Sequence, residues 1–412
     1  MDFIEIHGLT NPESHSGFVK LSYLCFMVDR TASVKLKQLA RKFPVVGLLG
    51  PRQSGKTTLA KELFPKKPYI SFENHDTVQL ATHDPRAFLE KYKNGAVFDE
   101  IQRAPQLLSY LQEVVDTHAR KAGLFIITGS QNLLLLETIS QTLAGRVAFI
   151  QLLPFSLAEL SSTPFGKQPL DSFILRGGYP RLYQQRIKPT DYYPNYLLTY
   201  VERDVRQIKN ISNLGLFQRF LKVCAARVGQ QINYSAIGND CGIDQKTVLN
   251  WLGILEASFI AFRLQPFYKN LGKRLVQMPK LYFYDAGLCC SLLEIESEKQ
   301  LANHPLRGLL LENFIIVDLL KARLNRGLRS NLYYWRDRTG NEIDILLEQA
   351  GGTVPIEIKS SSTFHLDFLK GIRYWQKLNP KVKDSYLVFT GKDSQMEKTK
   401  ILNWRNIGGI KN

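Results

Sequence analysis

The sequence predicts a multidomain α/β protein, and three patterns carry that prediction. At residues 45–64 an apolar run, a glycine-rich loop and a helix-forming stretch follow one another. Residues 213–290 read as helices joined by a tight turn, then two aromatic-rich strands. A helix, three strands, a second helix and another strand fill residues 308–390. A chain of 412 residues also exceeds one ordinary core. The expected division is an extension at 1–27, a core at 28–160, a helical lid or linker at 161–212, a middle unit at 213–300 and a C-terminal unit at 301–412.

The first pattern is the most specific. Val45 to Leu49 runs into Gly50-Pro51-Arg52-Gln53-Ser54-Gly55-Lys56-Thr57, and Thr58 continues into the helical stretch. Strand, G-x-x-x-x-G-K-[ST], helix is the order of a phosphate-binding loop. Gly50 and Gly55 permit backbone conformations closed to other residues, so successive N–H groups can face phosphate. Lys56 would reach the β- and γ-phosphates, and Thr57 would offer its hydroxyl to Mg²⁺. ATP and Mg²⁺ are thus the expected ligands.

Two further strands would complete this site. "GAVFDEIQ" ends in Asp99 and Glu100, and an acid at the C-terminal end of a strand is where a metal ligand belongs in an open α/β sheet. Asp99 is assigned to Mg²⁺ and Glu100 to polarising the attacking water. "GLFIITGSQN" ends in Thr128, Ser130, Gln131 and Asn132, of which Ser130 and Asn132 are the candidate sensors of the γ-phosphate. Arg146 is a candidate for stabilising transition-state charge, which can contribute about 10³–10⁵ in rate. A structural ion pair is the competing role for Arg146.

Taken together, "GPRQSGKTT", "FDEIQ", "TGS", "LAGR", "LLPFSLAEL", "RGGYPRLY" and "YVERDV" resemble prokaryotic AAA-type P-loop ATPases that carry a C-terminal domain of unknown function. The resemblance spans about residues 28 to 400. It implies a parallel sheet of order 5-1-4-3-2 with a catalytic glutamate. "GGYP" is similar to the Gly-x-Pro of related signalling ATPases, which implies that Gly178 and Pro180 belong to a lid touching nucleotide.

In the middle unit, "NYSAIGNDCGIDQKTVLNWLGILEA" reads as two helices with a turn at Cys241-Gly242-Ile243, and Asp244 suits the N-cap of the second. The strands that follow flank a basic tip with Lys269, Lys273 and Arg274. Helix, turn, helix and hairpin is the winged-helix pattern. On that reading Gln245, Lys246, Thr247 and Asn250 face the major groove of DNA, and the tip meets phosphate. A packing module or a protein-interaction surface is the alternative.

In the C-terminal unit, "NEIDILLE" and "VPIEIKS" are adjacent strands. Alternation puts Glu357 and Lys359 on one face of the second, with Ile356 and Ile358 on the other. Asp344 supplies an acid on the first strand, Glu342 lies on the same face as Asp344, and Glu312 sits on the preceding helix. The order and these residues resemble the PD-(D/E)xK fold of restriction-endonuclease-like α/β domains. That resemblance implies metal ligation by Asp344 and Glu357, with Lys359 positioning a hydroxide. An inactive scaffold that docks partners is the alternative.

Composition narrows the function classes. Hydrophobic content of 44% and charged content of 22% are those of a soluble globular protein, and no apolar run suits a membrane span. The cysteines (Cys25, Cys224, Cys241, Cys289, Cys290) have neither metal-ligand spacing nor a disulfide framework, which points to a reducing cytoplasm. Zinc, haem and redox cofactors find no pattern. Residues 1–26 do not look like a secretory signal, and Met27 is a second candidate for the start of translation. Net charge is +17, and residues 165–412 hold 36 Lys and Arg against 22 Asp and Glu. Such an excess favours a polyanionic partner, DNA ahead of RNA. The expected activity is ATP hydrolysis, with DNA engagement and metal-dependent cleavage gated by nucleotide; a signalling switch or a DNA-binding regulator is the alternative. Oligomerisation is left open.

Overall fold

A computed structural model describes residues 28–118, 121–130, 142–201, 213–268 and 278–410. Five strands, β1 (Val45–Leu49), β2 (Tyr69–Ser71), β3 (Ala96–Asp99), β4 (Phe125–Gly129) and β5 (Val147–Gln151), form one sheet of order β2-β3-β4-β1-β5. Every pairing in it is parallel, and the order is the one the family resemblance implies. Parallel sheets need both faces covered, and alternation along β1 shows how. Val46 and Leu48 pack with Ala32, Leu36, Leu59 and Ala60 on one face. Val45 and Leu49 join Leu107, Leu108 and Leu111 on the other. Gly47 is required within β1, because a Cβ there would sit 2.4 Å from the ring of Phe149 on β5.

The helix Lys56–Leu63 follows the loop after β1, and of the short helices at Leu170–Arg176, Pro180–Gln184 and Pro189–Tyr196 the last two approach that loop, through Pro180 and Tyr192. The helices Tyr234–Cys241 and Gln245–Ala257 meet at Gly242, whose φ of +71° closes the turn. Asp244 caps the second helix by accepting from the Thr247 N–H at 3.0 Å. Strands β6 (Ala261–Leu264) and β7 (Lys280–Phe283) then pair antiparallel.

An 18-residue helix, Arg307–Leu324, is buried on most of its surface, including Glu312, Asn313, Asp318 and Lys321. Its polar residues are joints to other elements. Asp318 accepts from the Leu157 N–H at 2.6 Å, and Lys321 Nζ donates to the Phe155 carbonyl at 2.8 Å. Burial raises the Asp318 pKa and lowers that of Lys321. The last sheet contains β8 (Leu332–Arg336), β9 (Glu342–Gln349), β10 (Gly352–Ile358), β11 (Ser385–Phe389), β12 (Ser394–Met396) and β13 (Thr399–Asn403). Its order is β12-β13-β11-β10-β9-β8, antiparallel from β8 to β10 and parallel from β10 through β11 to β13. The sequence reading did not include β12 and β13. No helix among the described residues is long and apolar enough to cross a membrane.

Candidate functional site

The parallel sheet sets the C-terminal ends of β1, β3 and β4 side by side, and the polar residues that leave those ends converge. Gly55, at φ +95°, and Gln53, at φ +59°, wrap the loop around the start of the helix Lys56–Leu63. Lys56 Nζ donates to the carbonyls of Gly50 and Pro51 at 2.9 and 2.8 Å. Thr57 Oγ1 lies 2.9 and 3.1 Å from the two oxygens of Asp99. Glu100 is held in the left-handed region at φ +57°, a strain that residues other than glycine keep where the surroundings impose it. Its Oε2 accepts from Ser130 Oγ at 2.9 Å and from Gln102 Nε2 at 2.5 Å. These groups open onto a cleft of 280 Å³ lined by Arg52, Gln53, Gly55, Lys56, Thr57, Thr58, Asp99, Glu100 and Pro180, among others. A larger cavity of 960 Å³, beside β5 and the helix Arg307–Leu324, contains none of the sequence-predicted residues.

Several supporting groups escaped the sequence reading. Tyr69 donates its hydroxyl to Asp99 Oδ2 at 2.7 Å; Thr128, already singled out at the end of its strand, donates to Oδ1 at 2.5 Å. Beside Asp99, burial and the carboxylate push the Tyr69 hydroxyl pKa up. Arg30 braces the loop through Ser54 O at 2.7 Å and Leu153 O at 2.6 Å while pairing with buried Glu159 at 3.2 Å. Tyr192 reaches Gln53 at 2.9 Å. The position of Tyr69 at the start of a strand beside β3 was the available signal; nothing in the local sequence marks Arg30.

Two expectations change at this site and one in the middle unit. Gly178 is not offered to nucleotide, because its N–H donates to Asp285 Oδ2 at 2.7 Å and its carbonyl accepts from Phe155 N at 2.8 Å. Pro180 does line the cleft. Arg146 precedes β5, whose first residue pairs with Val45, so it stands at the opposite end of the sheet from the loop. There it grips Asp116 at 2.5 and 2.9 Å. Within one chain it cannot reach a γ-phosphate held at Lys56. In the middle unit Gln245, Lys246 and Asn250 are exposed, but the Thr247 hydroxyl is committed to Asp244 at 2.6 Å. Asn132, Lys269, Lys273 and Arg274 lie outside the described residues.

The C-terminal acids are brought together but are already partnered. Asp344 Oδ2 accepts from the Ile358 N–H at 2.8 Å, and Lys359 Nζ lies 2.8 Å from Glu357 and 3.7 Å from Asp344. Lys280 Nζ lies 2.5 Å from Glu342 and 3.3 Å from Glu312, to which Tyr282 also donates. Burial and the neighbouring Asp344 charge push Glu312 up to about 7, and the same two causes raise Glu357. Among the described residues no group of three or more His, Cys, Asp or Glu is gathered closely enough to hold a metal. In this arrangement lysine ammonium groups supply compensating charge to the acids.

Comparison with known proteins agrees with the first sheet. A family model described as an AAA domain matches residues 42–161. Two domains of unknown function, DUF8612 and DUF4143, match residues 167–299 and 307–407. Uncharacterized proteins of Mycobacterium tuberculosis (Rv2008c) and Mycobacterium bovis (Mb2031c) are each 31% identical over 363 residues, 86% of this chain and 79% of theirs. Among solved structures, a Walker-type ATPase of Pyrococcus abyssi is similar at 16% identity and a TM-score of 0.43, covering 63% of this chain and 94% of its own. AMPPCP-bound DnaA of Aquifex aeolicus is similar at 13% and 0.31, covering 58% and 93%. The chain belongs to the family of the two mycobacterial proteins, and its first sheet is a P-loop ATPase core of the AAA type.

Proposed function

We propose that the protein binds Mg·ATP in the cleft above β1, β3 and β4 and hydrolyses it. The observation that carries this reading is the convergence of Lys56, Thr57 with Asp99, and Glu100 at one sheet edge. Thr57 and Asp99 present oxygen donors, the set that Mg²⁺ takes, so the residues fit the ion. The bound ion would supply charge neutralisation at the phosphates. The loop N–H groups and Lys56 hold the phosphate chain, and Lys56 exchanges its two loop carbonyls for phosphate oxygens. Glu100, fixed by Ser130 and Gln102, accepts a proton from the water that attacks the γ-phosphorus. The test is phosphate release by the wild type beside Lys56→Ala, which should abolish nucleotide binding.

The finer reading is that hydrolysis drives a basic C-terminal half that engages nucleic acid, DNA ahead of RNA. The charge excess of residues 165–412 and the exposed Gln245, Lys246 and Asn250 support it, and so does the succession of two helices and an antiparallel strand pair, read as a winged helix. Binding that falls steeply with salt supports this; binding absent at low salt removes it. The C-terminal order of helix, three strands, helix and strand supports a nuclease-like fold. For cleavage itself, the closeness of Asp344, Glu357 and Lys359 is the favouring observation. Nicking of plasmid DNA that needs Mg²⁺ or Mn²⁺ and vanishes in Asp344→Ala is the test.

A further inference from the structure

The acid cluster of the C-terminal unit takes part of its positive charge from elsewhere in the chain. Lys280 opens β7, on the middle unit, yet it stands between Glu312 of the helix Arg307–Leu324 and Glu342 of β9. It is only 4% exposed, and a buried ammonium persists only where opposite charge surrounds it. Tyr282, two residues on and so on the same face of β7, donates to the Glu312 oxygen that Lys280 also meets. The register of β7 is locked beside them. The Phe283 N–H donates to Asn313 Oδ1 at 2.7 Å, and Asn313 Nδ2 donates back to the Phe283 carbonyl at 3.1 Å.

The other cations are differently placed. Lys359 serves Glu357 and Asp344 from within the C-terminal sheet, and Arg336 approaches the outer oxygen of Glu342 at 3.5 Å with its side chain 44% exposed. Lys280 is thus the cation that joins the two units at the cluster. A hard cation needs several carboxylate oxygens free to approach within about 2.0–2.6 Å. With its ammonium between Glu312 and Glu342, Lys280 denies those two acids to any such ion.

We propose that Lys280 is a built-in countercation that holds the acid cluster shut against divalent metal, so that the middle unit completes this site in the resting chain. The proposal rests on the nuclease-like reading of the C-terminal unit.

The experiment is Mn²⁺ binding to the full-length protein without nucleotide, by equilibrium dialysis and electron paramagnetic resonance. Wild type, Lys280→Met, Lys280→Gln, Asp344→Ala and the Lys280→Met/Asp344→Ala double variant are compared. Methionine keeps the length of the side chain and its packing near Tyr334; glutamine keeps a donor toward Glu342 without the charge. Binding of a fluorescent ATP analogue reports that each variant is folded. The expected result is one additional bound Mn²⁺ per chain in Lys280→Met and Lys280→Gln, at least tenfold tighter than any in the wild type, and lost again in the double variant. Asp344→Ala should leave Mn²⁺ binding of the otherwise wild-type chain unchanged, a readout that holds even if the Lys280 variants do not fold. Folded Lys280 variants with no added site, an added site that survives Asp344→Ala, or wild-type Mn²⁺ binding lost in Asp344→Ala would each overturn the proposal. Plasmid cleavage scored in parallel separates the two readings. An added Mn²⁺ site without cleavage keeps the countercation and removes the nuclease; metal-dependent cleavage by the wild type that needs Asp344 does the reverse.

Discussion

Asp285→Ala is predicted to loosen the wall behind the nucleotide cleft. Asp285 follows β7 by two residues, is 2% exposed, and accepts three hydrogen bonds: from the Gly178 N–H at 2.7 Å, the Tyr193 hydroxyl at 2.6 Å and the Leu288 N–H at 3.0 Å. A hydrogen bond to a charged group contributes roughly 1.5–3 kcal/mol. The three share one carboxylate, and its removal also relieves a desolvation cost, so they do not add. About 3–4 kcal/mol of destabilisation is the expectation, in the range for breaking a buried charged contact. For a cooperative unit of about 150–250 residues that corresponds to a fall of roughly 6–16 °C in Tm. Asparagine is not a rescue, because one of its two termini donates and would oppose either the Gly178 N–H or the other two donors. The Tyr193→Phe variant removes a single partner and should cost about 1–2 kcal/mol. The assay is thermal unfolding beside titration of a fluorescent ATP analogue, whose affinity should fall because Gly178 leads directly into Pro180 at the cleft. A Tm for Asp285→Ala within about 2 °C of the wild type would refute the reasoning.

The remaining predictions follow from the same contacts. Asp99→Asn and Thr57→Ala should each lower phosphate release by at least about tenfold, with the loss reduced at higher Mg²⁺, as magnesium titrations would show. Arg146→Ala should leave ATP affinity unchanged, because that residue stands at the far end of the sheet; a direct binding isotherm checks this. Glu159→Gln should weaken the Arg30 brace, costing about 3 kcal/mol near neutral pH. Although burial opposes its charge, Arg30, the Ser156 and Thr31 N–H groups and the Thr31 hydroxyl hold the Glu159 carboxyl below its ordinary value. Its contribution is therefore complete above the ordinary carboxylate range and is lost as pH falls below it, so the Tm gap between Glu159→Gln and wild type should hold from about pH 7 to about pH 5 and narrow as pH falls below about 4.5.

Sequence reasoning succeeded where the chemistry is local. The loop from Gly50 to Thr57 and the acids ending β3 each depend on neighbours a few residues away, and their types leave little choice. Periodicity was enough for β8 to β11, since each carries an apolar alternation or run. It missed β12 and β13 because "SQM" is short and polar and β13 is only half apolar. What sequence cannot display is reach across the chain. Arg30 meets Glu159 from 129 positions away, and Gly178 meets Asp285 across 107. Arg146 shows the converse: its type suits a catalytic role, and only strand direction places it at the wrong end. Likewise Lys280 meets Glu312 across 32 positions, and nothing beside it in the sequence marks that contact.

The central claim is ATP hydrolysis with Glu100 as its base, and the most direct measurement is phosphate release by the wild type and by Glu100→Gln at saturating Mg·ATP. The wild type should turn over steadily, while Glu100→Gln should bind ATP with similar affinity and release phosphate at least about a hundredfold more slowly. Equal rates in the two proteins, or no turnover by a wild type that binds ATP, would contradict the account.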